Sequence, residues 1–206
     1  MADKISPAII KRLPRYYRVI SYLDKEGIAK VSSKTIAQLM DITASQVRQD
    51  FCNFGGFGQQ GYGYDVSKLK CELEGILGLD SLHNMIIIGA GIIGRALSGY
   101  KGFGENFKVC AVFDINVEGV TLNSGAALYS MDELNNYCKS NRVDIAIIAT
   151  PAVAAQEVAD KAVGAGINNI WNFAPTELSV PKGVVVENIS MSESLYVLCY
   201  YMNNKD

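Results

Sequence analysis

Apolar residues recur at helical spacing through the beginning of the chain. Ser6 and Pro7 form a helix start, and Gly27 marks the end of the segment that follows. Pro14 lies inside the segment and predicts a kink or a restart there, because proline lacks a backbone N–H. The pattern predicts a helix whose apolar face contains Ile10, Leu13, Tyr17, Ile20 and Leu23.

Two short amphipathic segments come next, with a break near Asp41. Ser32 or Ser33 caps the first segment, and Thr43 opens the second in capping-box spacing with Gln46. Two short helices joined by a tight turn form a helix-turn-helix unit. The alternative is that both helices are simple packing units of a small helical domain.

A glycine-rich stretch follows this helix pair. Residues 55–65 contain five glycines with aromatic residues between them, which favours a tight two-stranded wing. An amphipathic helix then runs from Asp65 to Gly78. We therefore predict a winged-helix DNA-binding domain over residues 1–80 and a second domain over residues 81–206.

The second half alternates apolar strands with helices, which predicts an α/β fold with a parallel sheet and helices on both faces. The predicted helices are 92–100, 131–139, 151–165 and 192–202. The predicted strands are 85–89, 108–113, 143–149, 168–173 and 184–187.

Charge and cysteine content narrow the class of protein. Residues 1–70 carry eleven Lys and Arg against six Asp and Glu, whereas the remainder carries eight against fifteen. The basic half is a candidate for binding phosphate backbones.

Five scattered cysteines without a C-x-x-C pair argue against a disulfide framework and a zinc site. No apolar run is long enough to cross a membrane and the beginning of the chain lacks a signal-peptide pattern, so we expect a cytoplasmic protein without membrane partners. No metal-ligand cluster is visible either, so we expect no metal partner.

Gly89, Gly91 and Gly94 spell G-x-G-x-x-G directly after an apolar strand and at the start of a helix. Asp114 ends the next strand, 20 residues after the last glycine. This context predicts a dinucleotide site in which backbone N–H groups hold the pyrophosphate and Asp114 binds the ribose hydroxyls. A carboxylate there favours NAD(H) over NADP(H). The remaining turn residues assigned to the site are Ala90, Ile92 and Ile93. The alternative is a glycine turn that only packs an unliganded domain.

The nicotinamide half of this site is predicted beyond the next strands. Thr150, Pro151 and Asn172 follow carboxyl ends of strands and would border it. The single histidine, His83, precedes the first strand and is interpreted as a surface or structural residue. No nucleophile–base set or paired catalytic carboxylates are visible, which indicates binding without turnover.

The helix-turn-helix predicts a DNA contact surface. In such a unit the start of the second helix lies in the major groove, which would place Arg48 where it could contact guanine or a phosphate. The start of the first helix could meet the backbone, and a glycine-rich wing could lie along the minor groove. The residues predicted to contact DNA are Ser33, Lys34, Ser45, Gln46, Arg48, Gln49, Gln59, Gln60, Gly61 and Tyr62.

The combined pattern resembles the Rex family of redox-sensing transcriptional repressors from about Ile10 to Met202. The resemblance implies a winged-helix domain, a Rossmann-like domain that senses NADH and NAD+, and a homodimer that NADH releases from operator DNA. Tyr100 matches a family tyrosine near the nicotinamide. The stretches that carry the resemblance are VSSKTIAQLM, ASQVRQDF, FGGFGQQGYGYDV, GILGLD, IIGAGIIGRALSGYKGF, VFDIN, TPAVAAQEVAD, AGINNIWNFAP and VPKGVVVEN.

The family's C-terminal helix is exchanged between protomers, and residues 192–202 suit that role. This segment is apolar on nearly all sides and needs burial on several of them. An ordinary core helix is the alternative.

The chain also departs from the family pattern. Gln49 and Gln60 stand where family members carry basic residues, which lowers the expected DNA affinity or shifts the preferred operator. Ser190 replaces an aspartate that, in the family, pairs with an arginine aligned with Arg18.

We therefore predict a transcriptional repressor that senses NAD(H). One alternative is an NAD-dependent oxidoreductase with a helical accessory domain. Another is a dinucleotide-binding paralogue whose DNA binding or redox response is weakened.

Overall fold

The computed structural model describes residues 5–55, 63–122 and 124–204. The chain divides into two compact units, residues 1–81 and 82–206. Separate clusters of buried apolar side chains form the cores of the two units. Within these described ranges, no helix is both long enough and apolar enough to cross a membrane.

The described part of the first unit consists of four helices and a two-stranded antiparallel ladder. A side-chain oxygen caps the start of each helix by accepting the backbone N–H three residues further on. The caps are Ser6, Ser32, Thr43 and Asp65. In chain order the elements are α1 (Pro7–Lys25), β1 (Lys30–Val31), α2 (Ser33–Met40), α3 (Ala44–Cys52), β2 (Tyr64–Asp65) and α4 (Val66–Leu77).

Helix α1 continues through Pro14 without a restart, so of the two predicted possibilities only a kink remains. Pro14 is exposed, so the carbonyl that loses its N–H partner can bind water instead. The buried face differs from the predicted one at particular positions, since Tyr16 is fully buried whereas Ile10 is about half exposed. Leu13, Ile20 and Leu23 are buried as the spacing predicts.

The helix-turn-helix is formed by α2, a tight turn and α3. Asp41 ends α2 in the left-handed conformation, with a φ of 55°. The ladder joins β1, which precedes α2, to β2, which follows α3, and pairs Val31 with Tyr64. Among the described residues, β2 therefore pairs with a strand outside the predicted wing; residues 56–62 of that wing lie outside the described residues, and the two-stranded wing stays a prediction.

The second unit contains a parallel sheet of six described strands. The strands lie in the order β5-β4-β3-β6-β7-β8, which is the doubly wound arrangement of dinucleotide-binding folds. They are β3 (His83–Ile88), β4 (Phe107–Asp114), β5 (Ala127–Ser130), β6 (Ile145–Ile148), β7 (Asn169–Asn172) and β8 (Val185–Asn188). The helices are α5 (Ile92–Ser98), α6 (Leu134–Ser140), α7 (Ala152–Gly164) and α8 (Met191–Asn203).

Strand β5 was not predicted from the sequence. It lies at an edge of the sheet and pairs with β4 alone. Because it has one neighbour and its side chains are at most half-buried, its sequence ALYS lacks the apolar run that marks the central strands.

Helix α8 is the terminal helix of the described chain. None of its residues is buried, although most of them are apolar. The structure thus disagrees with the alternative that this segment is an ordinary core helix of its own chain.

Candidate functional site

The glycine turn lies past the carboxyl end of β3, beside the end of β6, where the strand order reverses. Gly89 has a φ of 109°, which favours glycine. A Cβ atom added to Gly89 would lie 2.6 Å from the carbonyl oxygen of Ala149. The turn therefore passes against the backbone that follows β6, and a side chain at Gly89 would separate them.

Gly94 and Gly91 have different surroundings, and each fits its predicted role. A Cβ added to Gly94 would overlap the carbonyl oxygen of Gly89, so α5 packs on the turn only if this residue is glycine. No atom lies within 4 Å of a Cβ added to Gly91. Gly91 is also the N-cap of α5 and offers no side-chain oxygen to the first-turn N–H groups. These N–H groups are the donors that a pyrophosphate would use.

The other turn residues lie around this opening. Ala90 is buried, Ile93 is half-buried and Ile92 is exposed. Their side chains are apolar, so the backbone of the turn supplies the polar groups available to a ligand.

Asp114 connects the turn to the end of β4. Its Oδ2 accepts the backbone N–H of Ala90 at 2.5 Å, and its Oδ1 accepts the N–H of Asn116 at 2.9 Å. The carboxylate therefore lies directly beside the glycine turn. This is the position from which an acidic residue binds the ribose hydroxyls of a dinucleotide.

Thr150 and Pro151 follow β6 at the same edge of the sheet. The hydroxyl oxygen of Thr150 is buried and has no hydrogen-bond partner among the described residues. A ligand that donates to or accepts from this hydroxyl would satisfy it. Pro151 is exposed and precedes α7.

Asn172, at the end of β7, is fully buried and held within the fold. Its amide nitrogen donates to the carbonyl oxygen of Thr176 and to Oδ1 of Asn188, at 2.8 and 2.9 Å. Its Oδ1 accepts the N–H of Ala174 at 3.0 Å. The side chain thus organises the loop after β7, and its contact with a nicotinamide stays a prediction.

Tyr100 follows the carboxyl end of α5, at the opposite end of that helix from the glycine turn. Its ring lies against Gly102 and packs edge-on against Phe103, with ring centroids 4.9 Å apart. Both aromatic residues line an open cleft of about 500 Å³, together with Phe107 and the beginning of β4. The predicted contact of Tyr100 with a nicotinamide is likewise untested.

Helix α3 exposes one face of polar side chains. Ser45, Arg48 and Gln49 are exposed at the i, i+3 and i+4 positions that share a helical face. The guanidinium of Arg48 donates to Oγ of Ser33 at 3.2 Å, which joins the middle of α3 to the start of α2. Lys34 is exposed in the first turn of α2. These residues form one polar surface on the helix-turn-helix, here called the reading face.

Gln46 does not share the reading face. Its side chain is half-buried, and its amide nitrogen donates to Oδ1 of Asp50 at 2.8 Å. The sequence predicted a reciprocal capping box with Thr43. The Thr43 hydroxyl does accept the Gln46 N–H, at 3.1 Å, but the Gln46 side chain points to Asp50 instead of back to Thr43.

Asp50, which was not predicted as a functional residue from the sequence, is fully buried within the first unit. Its carboxylate forms an ion pair with Arg12 of α1 at 2.7 Å and accepts the Tyr16 hydroxyl at 2.8 Å. Burial works against ionisation of this carboxyl, but hydrogen bonds from its three partners outweigh burial and hold the pKa of Asp50 below its ordinary value. The sequence did contain one signal of this burial, because the charged Asp50 lies between the apolar positions Val47 and Phe51 of the same helix.

The remaining predictions concern the wing and acid–base or metal chemistry. Gln59, Gln60, Gly61 and Tyr62 lie outside the described residues. His83 begins β3, and its ring stacks on Phe107 with centroids 5.2 Å apart. Among the residues that the structure describes, no group of three or more His, Cys, Asp or Glu side chains could hold a metal ion.

Comparisons with known proteins cover almost the entire chain. Residues 4–52 match a family described as "Putative DNA-binding protein N-terminus", and residues 80–176 match a family described as "CoA binding domain". The redox-sensing transcriptional repressor Rex of Clostridioides difficile is 47% identical over 201 residues, which cover 96% of this chain and 95% of that protein. The Rex of Caldanaerobacter subterraneus is 44% identical over 205 residues, covering 98% and 91%.

Solved structures of a Rex-family repressor also match almost the entire chain. A Rex-family repressor, RSP, in complex with β-NAD+ and operator DNA matches with a TM-score of 0.91 and 43% identity. The match covers 97% of this chain and 93% of that one. RSP in complex with β-NADH matches with a TM-score of 0.87 and 40% identity, covering 97% and 94%.

Proposed function

The chain belongs to the family of Rex redox-sensing transcriptional repressors, and we propose that it represses transcription by binding operator DNA under the control of NAD(H). The observation that carries the proposal is the glycine turn at the switch point of the sheet, with the Asp114 carboxylate hydrogen-bonded to it. The relatives that match nearly the whole chain are named repressors, which supports a regulatory role over the oxidoreductase alternative. The dinucleotide acts as a signal and requires no acid or base.

In this proposal the backbone of the turn holds the pyrophosphate. The residues concerned are Gly89, Ala90, Gly91, Ile92, Ile93 and Gly94. The space beside Gly91 and the uncapped first turn of α5 fit an anionic group at this position. Asp114 binds the adenosine ribose and repels a 2′-phosphate, which selects NAD(H) over NADP(H). Thr150, Pro151, Asn172 and Tyr100 are proposed to contact or border the nicotinamide half.

DNA binding is assigned to the reading face, with Ser45, Arg48 and Gln49 at the base edges and Ser33 and Lys34 at the phosphates. The wing, including residues 59–62, would add a contact along the neighbouring groove. Arg48 is the strongest candidate for base recognition, because a guanidinium can contact the O6 and N7 atoms of guanine together.

Helix α8 supports a homodimer. It leaves Leu195, Leu198 and Met202 more than half exposed, together with tyrosines on its other sides. A second copy of the chain would bury this apolar surface if the two helices were exchanged. In a two-fold dimer the paired reading faces would meet two half-sites of an operator.

The response to redox state follows from differential affinity. NADH can release DNA only to the extent that it binds the DNA-free arrangement of the dimer more tightly than the DNA-bound one. A repressor of this kind works where the chromosome is, so we place its action in the cytoplasm.

The proposal is tested by selecting duplexes from a random DNA pool and measuring the affinity of the selected duplex at several salt concentrations. We expect steep weakening with salt, because phosphate contacts release counterions. We also expect NADH to lower the affinity at least tenfold, with NAD+ having a smaller effect and NADPH none.

Two results would contradict parts of the proposal. If no duplex is enriched, DNA binding is wrong. If a duplex is enriched but NADH leaves its affinity unchanged, the chain is a DNA-binding protein without a redox response. Coenzyme A serves as a control ligand, because its ribose carries a 3′-phosphate that Asp114 would repel.

A further inference from the structure

The carboxylate of Asp50 is saturated with hydrogen bonds. Oδ2 accepts from Nε of Arg12 at 2.7 Å and from the Tyr16 hydroxyl at 2.8 Å. Oδ1 accepts from the second guanidinium nitrogen of Arg12 and from the amide of Gln46, both at 2.8 Å. A carboxylate offers about four acceptor positions, so all of them are used.

These contacts join two helices in a defined orientation. Arg12 and Tyr16 lie on α1, whereas Gln46 and Asp50 lie on α3. The two parallel bonds from Arg12 fix direction as well as distance, because the guanidinium and the carboxylate are both planar. The network therefore limits how far α3 can rotate about its axis or slide along α1.

Gln46 occupies the flank of α3 between the buried face and the reading face. It stands four residues before Asp50 and is half-buried, while Ser45 and Arg48 are exposed. An amide that reads adenine must present its nitrogen and its oxygen together to one base edge. The nitrogen of Gln46 is already bonded to a buried carboxylate, and freeing it would remove a charge-assisted bond.

We propose that Asp50 is a positioning residue for DNA recognition, and that Gln46 acts through Asp50 instead of contacting a base. This inference rests on the proposed DNA-binding function. It assigns base discrimination on α3 to Ser45, Arg48 and Gln49. Asp50, Arg12, Tyr16 and Gln46 together set the angle at which these three side chains enter the groove.

The test compares base preference as well as affinity. Duplexes are selected from a random pool with the full-length chain and with Gln46→Met, which keeps the length of the side chain but cannot donate. We expect Gln46→Met to bind every selected duplex about three- to tenfold more weakly, with the same preference at each position. Arg48→Ala is the matched control, and it should flatten the preference at one position of each half-site.

A double-mutant cycle separates positioning through Asp50 from an independent effect. In an Asp50→Ala background, Gln46→Met should change DNA affinity by less than twofold, because the acceptor that Gln46 acts through is already gone. Ser6→Ala removes the cap of α1 without touching Asp50. At a temperature where all variants are folded, Ser6→Ala should leave DNA affinity unchanged, which distinguishes positioning from a general loss of stability.

Three outcomes would overturn the inference. Loss of preference at a single base position in Gln46→Met would mean that Gln46 leaves Asp50 and reads that base. Additive effects of Gln46→Met and Asp50→Ala on DNA affinity would mean that the two residues act separately. If the unaltered chain enriches no duplex, the proposed DNA-binding function itself fails. This result is distinct from the other two outcomes, because both of those are measured on duplexes that the chain binds.

Discussion

The glycine turn and the reading face are built from different parts of the chain. The turn is made of backbone, and its shape follows from the absence of side chains at Gly89 and Gly94. The reading face is made of side chains, and its orientation is set by a buried carboxylate with partners on two helices. Steric exclusion thus shapes the first site, and a polar network shapes the second.

This difference determines how each site tolerates change. Steric exclusion is nearly absolute, because one added methyl group meets backbone that cannot move away. A hydrogen-bond network loses its contacts one at a time and can retain part of its geometry. We therefore expect substitutions at Gly89 and Gly94 to have all-or-none effects and substitutions around Asp50 to have graded ones.

The largest effect is expected from Gly94→Ala. The added Cβ would overlap the carbonyl oxygen of Gly89, so either α5 or the turn must move. We expect the second unit to lose about 3 kcal/mol or more of stability and to bind no NADH. Urea denaturation and calorimetric titration of NADH measure the two effects.

Gly91→Ala is the matched control for this substitution. Its added Cβ has no neighbour within 4 Å, and a φ of −69° suits alanine. We expect a loss of at most about 1 kcal/mol in stability, with NADH affinity reduced about tenfold because the methyl group fills the space beside the turn. Equal destabilisation by the two substitutions would contradict the steric account of the turn.

The next largest effect is expected from Asp50→Ala. This change leaves the guanidinium of Arg12 without its buried partner and removes acceptors from Tyr16 and Gln46. Breaking a buried ion pair in this way costs about 3 kcal/mol. Asp24 forms an exposed ion pair with Lys70 at 2.8 Å, and Asp24→Ala should cost about 1 kcal/mol or less. Chemical denaturation of both variants would measure the difference in the free energy of unfolding. Similar losses would mean that the buried ion pair of Asp50 contributes no more stability than the exposed pair of Asp24.

The same carboxylate predicts a dependence on pH. Its pKa in the folded protein lies below the unfolded value of about 3.9 because its hydrogen-bond donors outweigh the opposing effect of burial. The Asp50 contribution is therefore present above about pH 4 and is lost as the pH falls through the folded pKa. In denaturation experiments across this range, Asp50→Asn should show a smaller acid-induced loss of stability than the unaltered chain. If the stability of the two proteins fell in parallel as the pH is lowered, the contribution assigned to the Asp50 carboxylate would be wrong.

The contrast between the two sites also explains what the sequence could predict. The spacing of Gly89, Gly91 and Gly94 was readable because the steric rule that requires glycine is local. The Asp50 network was not readable, because Arg12 and Tyr16 lie 38 and 34 residues away in the chain. Strand β5 was missed for a related reason, since an edge strand with one neighbour carries a weak apolar signal.

A smaller effect, confined to ligand binding, is expected from Asp114→Arg. The arginine removes an acceptor for the ribose hydroxyls and introduces a charge that attracts a 2′-phosphate. We expect NADH affinity to fall about tenfold or more and NADPH affinity to rise, as measured by calorimetric titration. Asp114→Asn is the control, because it keeps an acceptor for the Ala90 N–H and should lose less NADH affinity. Unchanged NADH affinity in Asp114→Arg would contradict the role of Asp114.

The smallest effect is expected from Thr43→Ala, which removes the cap of α3 but leaves Asp50 in place. The Thr43 hydroxyl accepts the Gln46 N–H at 3.1 Å, and losing such a cap costs about 1 kcal/mol, or about 5 °C in the unfolding temperature of a small unit. Thr43→Ser keeps the oxygen and should restore most of the loss. Because Asp50 still joins α3 to α1, we expect Thr43→Ala to keep the base preference of the unaltered chain when it is fully folded. A changed base preference would mean that the Thr43 cap orients the reading face. Local backbone geometry would then shape both sites, and the contrast between them would be wrong.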